Sequence, residues 1–329
     1  MKVKGIKLIS FMLILGAVIA GCSYYKYSNE GTKPNTDTES STETSASSAD
    51  LAFAVFGDVH DNIGNFQDAI DDMYKINPNM DALVLNGDTV DQGKNEQYDE
   101  VQKAIDKNKK KLPENIIKNL GNHEFYNYDE DTNSEEAIKD FTDKYLDFAG
   151  TDKVYHDTWI KGYHFISLGS DDLTSEDLSS TQASLSEEQI SWFKEKLNED
   201  YEQGKPIFVF IHQPISVNFF GRAWYGVKQG DELQRILDGY PEAVVFSSHT
   251  HKEFYDDYIK EDQPYTFAHT GAIGYTFVND ESSDSGRKRD SSANNALYIE
   301  VNGDKVTLNG RDIKNHKWVY SKEITKEDK

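Results

Sequence analysis

Short apolar runs that stop abruptly at oxygen- and nitrogen-bearing residues recur along this chain. The first, Phe53-Ala54-Val55-Phe56, ends in Gly57-Asp58-Val59-His60. A run of roughly four to eight apolar residues bounded by glycine reads as a buried strand. Side chains alternate along a strand, so Asp58 and His60 are expected to leave its end on one side. Ala82-Leu83-Val84-Leu85-Asn86 then runs into Gly87-Asp88-Thr89-Val90-Asp91-Gln92-Gly93, and Ile116-Ile117-Lys118-Asn119-Leu120 into Gly121-Asn122-His123-Glu124. Residues 206–211 end in His212, and residues 243–246 in Ser247-Ser248-His249-Thr250-His251. Five predicted strands thus finish in metal-ligand residue types. In a sheet those ends gather along one edge, where open α/β folds keep their ligand sites.

Between the strands the apolar spacing becomes helical. Phe66, Ile70 and Met73 share a face before Asn77-Pro78 stops the run. Residues 96–111 predict a charged surface helix with Tyr98, Val101 and Ile105 inward, and 135–148 another with Ile138, Phe141 and Tyr145 inward. Residues 154–159 and 163–168, joined through Lys161-Gly162, predict a hairpin. Ser186-Glu187-Glu188-Gln189 has the form of a capping box, followed by an apolar stripe of Ile190, Phe193 and Leu197. Residues 229–237 predict a further helix. The tail alternates over 296–308 around Asn302-Gly303, a hairpin turn signal, and Trp318-Val319-Tyr320 adds a strand. Residues 281–294 are polar and Ser-rich and predict a mobile loop. The change from strand-helix-strand units to hairpins predicts an α/β chain with a two-sheet core covered by helices.

Taken in order, GDVH, GDTVDQG, GNHE, a strand-terminal His212 and SHTH resemble the five sequence blocks of the calcineurin-like metallophosphoesterase superfamily, over roughly residues 51–275. Two positions depart from its pattern: Asp61 stands where a Gly usually follows the first His, and Ser248 where a Gly usually precedes His249. Both bear on loop shape and substrate fit rather than on the ligands. The resemblance implies a four-layer α/β/β/α sandwich, with residues 51–329 as one catalytic domain. It implies two divalent metal ions, bridged by Asp88. Asp58, His60 and His251 would complete one metal site, and Asn122, His212 and His249 the other. It places His123 beside the metals as general acid, a role suited to an imidazole that titrates near neutrality. Asp91 would orient His123 or a ligand; a loop carboxylate capping a turn is the alternative. Four imidazoles with carboxylates and an amide suit manganese, iron or zinc rather than calcium. A site of this kind lowers the pKa of water and clamps the oxygens of an in-line phosphoryl displacement.

The N-terminus adds an address. Lys2, Lys4 and Lys7 precede the apolar residues 8–20, the pattern of a secretory signal peptide over 1–21. Ile19-Ala20-Gly21-Cys22 resembles a bacterial lipobox, which implies a lipid anchor on Cys22; an uncleaved membrane anchor is the alternative. Either way the domain is expected outside the cytoplasm, tethered to the cell membrane. Cys22 is the sole cysteine, so no intrachain disulfide can form. Residues 22–50, rich in Ser and Thr, predict a disordered tether.

The formal charge of −23 repels nucleic acid polymer at long range. It leaves a small phosphoester, captured by metals, as the expected substrate. Asn218-Phe219-Phe220-Gly221-Arg222-Ala223-Trp224-Tyr225 combines aromatic faces with Arg222, a guanidinium suited to grip a phosphate or stack on a base; a hydrophobic lid is the other reading. His156, His164, His269 and His316 lie outside the five blocks and are expected on hairpins or the surface, with His269 the one placed to approach the site. The expected function is a two-metal phosphodiesterase or phosphatase, small beside superfamily nucleotidases that carry a large additional C-terminal domain. The rival is a non-catalytic metal- or solute-binding surface lipoprotein.

Overall fold

The computed structural model describes residues 49–128, 134–174, 181–215, 226–252, 254, 259–261, 263–283 and 286–324. The expected signal sequence, Cys22, the tether up to residue 48 and the Arg222 loop lie outside them. Two six-stranded sheets form the core. The first holds β1 (Leu51–Phe56), β2 (Ala82–Asn86) and β3 (Asn115–Asn119) in parallel, continued antiparallel from β1 by β12 (Asn295–Asn302), β13 (Lys305–Asp312) and β14 (Lys317–Ile324). In the second, β5 (Tyr163–Ser167), β6 (Ile207–Phe210), β7 (Ala243–Ser247) and β9 (Thr266–His269) are parallel, with β4 (His156–Ile160) and β8 (Ile259–Lys260) antiparallel at the edges.

Strand alternation decides the layers. Leu51, Phe53 and Val55 of β1 enter a cluster with Phe165, Phe208, Phe210 and Phe246 of the opposite sheet. Ala52, Ala54 and Phe56 face the other way, onto α1 (Ile63–Ile76), α2 (Asn95–Lys107) and α3 (Glu135–Ala149) through Phe66, Met73, Val101, Phe141 and Tyr145. Val209 and Val245 meet α4 (Glu187–Asn198) and α5 (Gly230–Leu237) in the same way. The expected four-layer sandwich results, because both sheets are buried on both faces. Phe53 sits at its centre, 5.0 Å and 4.9 Å from the rings of Phe165 and Phe208.

Three expectations need correcting. Residues 281–294 are not wholly loop: β11 (Arg287–Asp290) pairs with β10 (Thr276–Asn279) as a separate ribbon. Backbone pairing builds it, which composition does not reveal. The capping box is half made. Ser186 Oγ accepts from Gln189 N at 3.1 Å, but the Ser186 N–H donates to Asp171 at 2.8 Å while Gln189 bridges the Gly169 backbone. Of the four outlying histidines, His156 and His164 lie on the β4–β5 hairpin as expected, His164 on its buried face, whereas His269 is buried on β9 rather than at the surface. His164 bonds Asp157 at 2.8 Å under the stacked Trp159, and His269 is wholly enclosed. His316, expected at the surface, is there, bonded to Asp72.

Candidate metal centre

The parallel strands β1, β2 and β3 of one sheet and β6 and β7 of the other deliver their C-terminal loops to one place. His249 N–H donates to both carboxylate oxygens of Asp58, at 3.1 and 3.0 Å, which ties the two sheets together there. Asp58, His60, Asp88 and His251 bring ligand atoms within 4.8 Å of one another, and so do Asp88, His212 and His249. Asp88 belongs to both groups, as the bridging role requires. All seven expected ligands are buried.

The imidazoles are held by the nitrogen that faces outward. His212 Nδ1–H donates to the Asn86 carbonyl at 2.8 Å and His251 Nδ1–H to the Tyr275 carbonyl at 3.0 Å. His60 Nδ1–H donates to Asp91 at 3.2 Å. A carbonyl or carboxylate only accepts, so in the neutral rings of His60 and His251 Nε2 is left as a bare lone pair, while His212 Nε2–H faces the Asp88 carboxylate and becomes a lone pair when a cation displaces its proton. These nitrogens converge: His60 and His251 Nε2 lie 3.0 Å apart, and His212 Nε2 lies 3.0 Å from Asp88 Oδ2. Asn122 completes the pattern. Its Nδ2 donates to the Tyr126 hydroxyl at 3.0 Å, and its Oδ1 is buried with no hydrogen-bond partner among the described residues. Acceptors facing acceptors, with an orphaned amide oxygen beside them, are the donor set a divalent cation satisfies.

The electrostatics agree. Burial holds His60, His249 and His251 below the ordinary imidazole range, His249 at about 3, so all three stand neutral as metal ligation demands. Burial also opposes charge on His212, yet the Asp88 carboxylate lifts it to about 9. Burial pushes Asp58 well above the usual carboxylate range. Protons take up the negative charge that a metal would neutralise.

Close packing sets the loops. A Cβ at Gly121 would overlap the Asp88 carboxylate, and one at Gly87, whose φ is +83°, would overlap the His212 ring. Ser248 fills the place where the resemblance expects Gly. Its Oγ donates to the Asn86 carbonyl at 3.2 Å and lies 2.7 Å from Thr270 Oγ1.

His123 and Asp91 stand together beside the ligands. His123 N–H donates to Asp88 Oδ1 at 2.8 Å, and its ring Nδ1–H donates to the Asp91 carbonyl at 2.9 Å. Its ring packs edge-on to His60 at 4.3 Å. The Asp91 carboxylate is held below its usual range, first by the His60 hydrogen bond. His269 reaches the ligand loop indirectly: its Nδ1 accepts from Gly271 N at 3.0 Å, so Nε2–H donates to Thr250 Oγ1 at 2.7 Å, between His249 and His251. Arg222 falls outside the described residues.

Sequence reasoning passed over three neighbours. Glu124 accepts from the backbone N–H groups of Asp88, Thr89 and Gly121 at 3.1, 2.8 and 2.8 Å, clamping two ligand loops; it was readable only as the last letter of GNHE. Tyr275 stacks on His251 at 4.0 Å, and Arg289 lies over Tyr275. Nothing local to either residue signals this, since the ribbon alone carries them to the centre.

The solved structures similar to this one include a dimetal phosphatase from Danio rerio, at 12% identity and TM-score 0.56, covering 84% of this chain and 99% of that one. A purple acid phosphatase from yellow lupin (Lupinus luteus) seeds matches at 14% identity and TM-score 0.57 over 84% of this chain, which spans 54% of the lupin protein. At such identities the likeness is one of fold. No curated protein sequence matches. The profile of the calcineurin-like phosphoesterase family does, over residues 51–253, a stretch that holds the converging Asp58, His60, Asp88, His212, His249 and His251, and the chain belongs to that family.

Proposed function

We propose that this chain is a two-metal phosphoester hydrolase, with Asp58, His60, Asp88 and His251 holding one ion and Asp88, Asn122, His212 and His249 the other. The observation that carries the reading is the convergence of buried imidazole and carboxylate groups on shared points, beside Asn122 Oδ1, which is buried without a partner among the described residues while its amide nitrogen is tied to Tyr126. When bound, two divalent ions supply Lewis acidity that acidifies water and offsets charge on phosphoryl oxygens. Manganese, iron or zinc suits the mixed nitrogen and oxygen donors.

The chain's own groups supply orientation and a proton. Asp91 fixes the His60 tautomer, and the Asp91 carbonyl takes His123 Nδ1–H. Nε2 is therefore the His123 nitrogen left to hold the proton that a leaving alkoxide or phenoxide needs. The His123 side chain is 17% exposed, so it can recover that proton from solvent after each turnover. A non-catalytic binding lipoprotein would not need this arrangement, which favours the enzyme.

The test is hydrolysis of p-nitrophenyl phosphate and bis(p-nitrophenyl) phosphate by the full chain, chelated and then resupplied with manganese, zinc or ferrous iron, beside Asp88→Asn. We expect metal-restored turnover that the variant loses by about a hundredfold or more. A resupplied protein that binds two ions yet turns over neither ester would point to a narrower substrate or to the binding role. The lipobox-like run before Cys22 supports the reading of a lipid-anchored enzyme outside the cytoplasm; Cys22→Ser should then move it from the membrane to the soluble fraction.

A further inference from the structure

The β10–β11 ribbon leans on the metal centre. Phe277 N–H donates to the His251 carbonyl at 2.8 Å, and the Phe277 ring lies 5.9 Å from the His251 ring. From the other side, Asn65 of α1 donates to the Ser291 carbonyl at 2.9 Å, just past β11. Arg289 stands directly opposite Phe277 in the ribbon register, so the two side chains share a face.

The Arg289 guanidinium carbon lies 3.5 Å from the centroid of Tyr275, and the His251 ring stacks on the same Tyr275 at 4.0 Å and 16°. Two groups that close to one centroid cannot occupy the same side of a ring. His251, Tyr275 and Arg289 therefore form a three-layer stack with a candidate metal ligand at one end and an exposed guanidinium at the other. Stacking holds a guanidinium by its face and leaves its N–H donors pointing outward in the plane. No carboxylate pairs with Arg289 among the described residues. Tyr275 also lies 5.3 Å from the His60 ring, so the stack borders two of the candidate ligands. In a chain of net charge −23, a cation stacked beside the candidate metal centre with no carboxylate partner among the described residues is suited to meet an anion.

Resting on the hydrolase reading above, we propose that Arg289 binds a phosphoryl oxygen of the substrate at the mouth of the metal centre. A guanidinium fork matches phosphate oxygens, and its charge counts for more with a dianionic monoester than with a monoanionic diester. Arg289 is thus a substrate-binding residue that tilts the enzyme toward monoesters.

The test uses the full, metal-loaded chain and the variants Arg289→Ala and Arg289→Lys. The expected result is a KM for p-nitrophenyl phosphate raised about tenfold in R289A, with kcat within about threefold and a smaller rise for bis(p-nitrophenyl) phosphate. The calorimetric Kd for inorganic phosphate should weaken in step, metal content and Tm should hold, and R289K should recover part of the loss. Unchanged KM and phosphate Kd in R289A would overturn the assignment, as would a fall in kcat alone or a loss of Tm that accounts for the change. A wild type inert toward both esters would count against the hydrolase reading, while the phosphate Kd of wild type against R289A would still decide the role of Arg289.

Discussion

Asp58, His60, Asp88, His249 and His251 all hold φ between 48° and 69°, a left-handed backbone that side chains other than glycine adopt only at a cost. Asp61, where the resemblance expects Gly, does the same at 56°. The side chains that converge were legible in the sequence, but the reason for their convergence was not. Alternation along a strand was the expected device, yet β1 ends at Phe56, and Asp58 and His60 are aimed by the turn that follows. Positive φ without glycine leaves no sequence mark, since the surrounding contacts impose it. Those contacts are testable at Gly121, where Ala would push its Cβ into the Asp88 carboxylate. Gly121→Ala should retain less than one ion per chain by elemental analysis and lose turnover; two retained ions would show that the loop can yield. Glu124→Gln removes one of the acceptors for three backbone N–H groups and should cost about 1–3 kcal/mol in denaturant unfolding.

At the scale of elements, periodicity was a good guide wherever one face is dry. The β1 alternation, the stripes of α1 and α2 and the Lys161-Gly162 turn, with φ of 51° and 82°, all follow from local pattern. The sequence failed where the partner is distant. Asp171, fifteen residues upstream of Ser186, takes the cap N–H that Gln189 was expected to bond. Asp171→Ala should therefore destabilise by about 1–2 kcal/mol, comparable with losing an N-cap. If Asp171→Ala leaves the unfolding free energy unchanged, the assignment fails. In the same way the β10–β11 ribbon needs a pairing that composition hides, and with it Tyr275 and Arg289 escaped notice. Phe53, by contrast, was legible as core and its placement between two sheets makes it costly to truncate. Phe53→Ala should lose about 3–5 kcal/mol, read from urea melts.

For the whole molecule, the buried histidines couple stability to pH. Once metal is stripped the neutral His60, His249 and His251 add to that slope, so the share of His269 is read from its variant. His269 lies in the second sheet, fully enclosed, with Nδ1 accepting from Gly271 N–H and Nε2–H donating to Thr250. Burial holds its pKa at about 3, and that of His156 at about 4. An unfolded chain titrates such a group near 6.5. Below that pH the unfolded state takes up a proton that the folded state refuses, so stability is full above about 6.5 and falls as pH drops toward the folded value. Each such histidine contributes at most about 1.4 kcal/mol per pH unit across that window. A proton forced onto His269 Nδ1 would face the Gly271 N–H, donor against donor, which is why the fold resists it. Denaturant melts of the chelated chain between pH 7.5 and 4.5 should therefore steepen in their loss of stability below 6.5. His269→Gln, though less stable at neutral pH, should lose one proton's worth of that slope. A slope identical in wild type and variant would mean that His269 opens to solvent before it titrates, and the link between the ligand loop and the second sheet would be looser than the Thr250 bond implies.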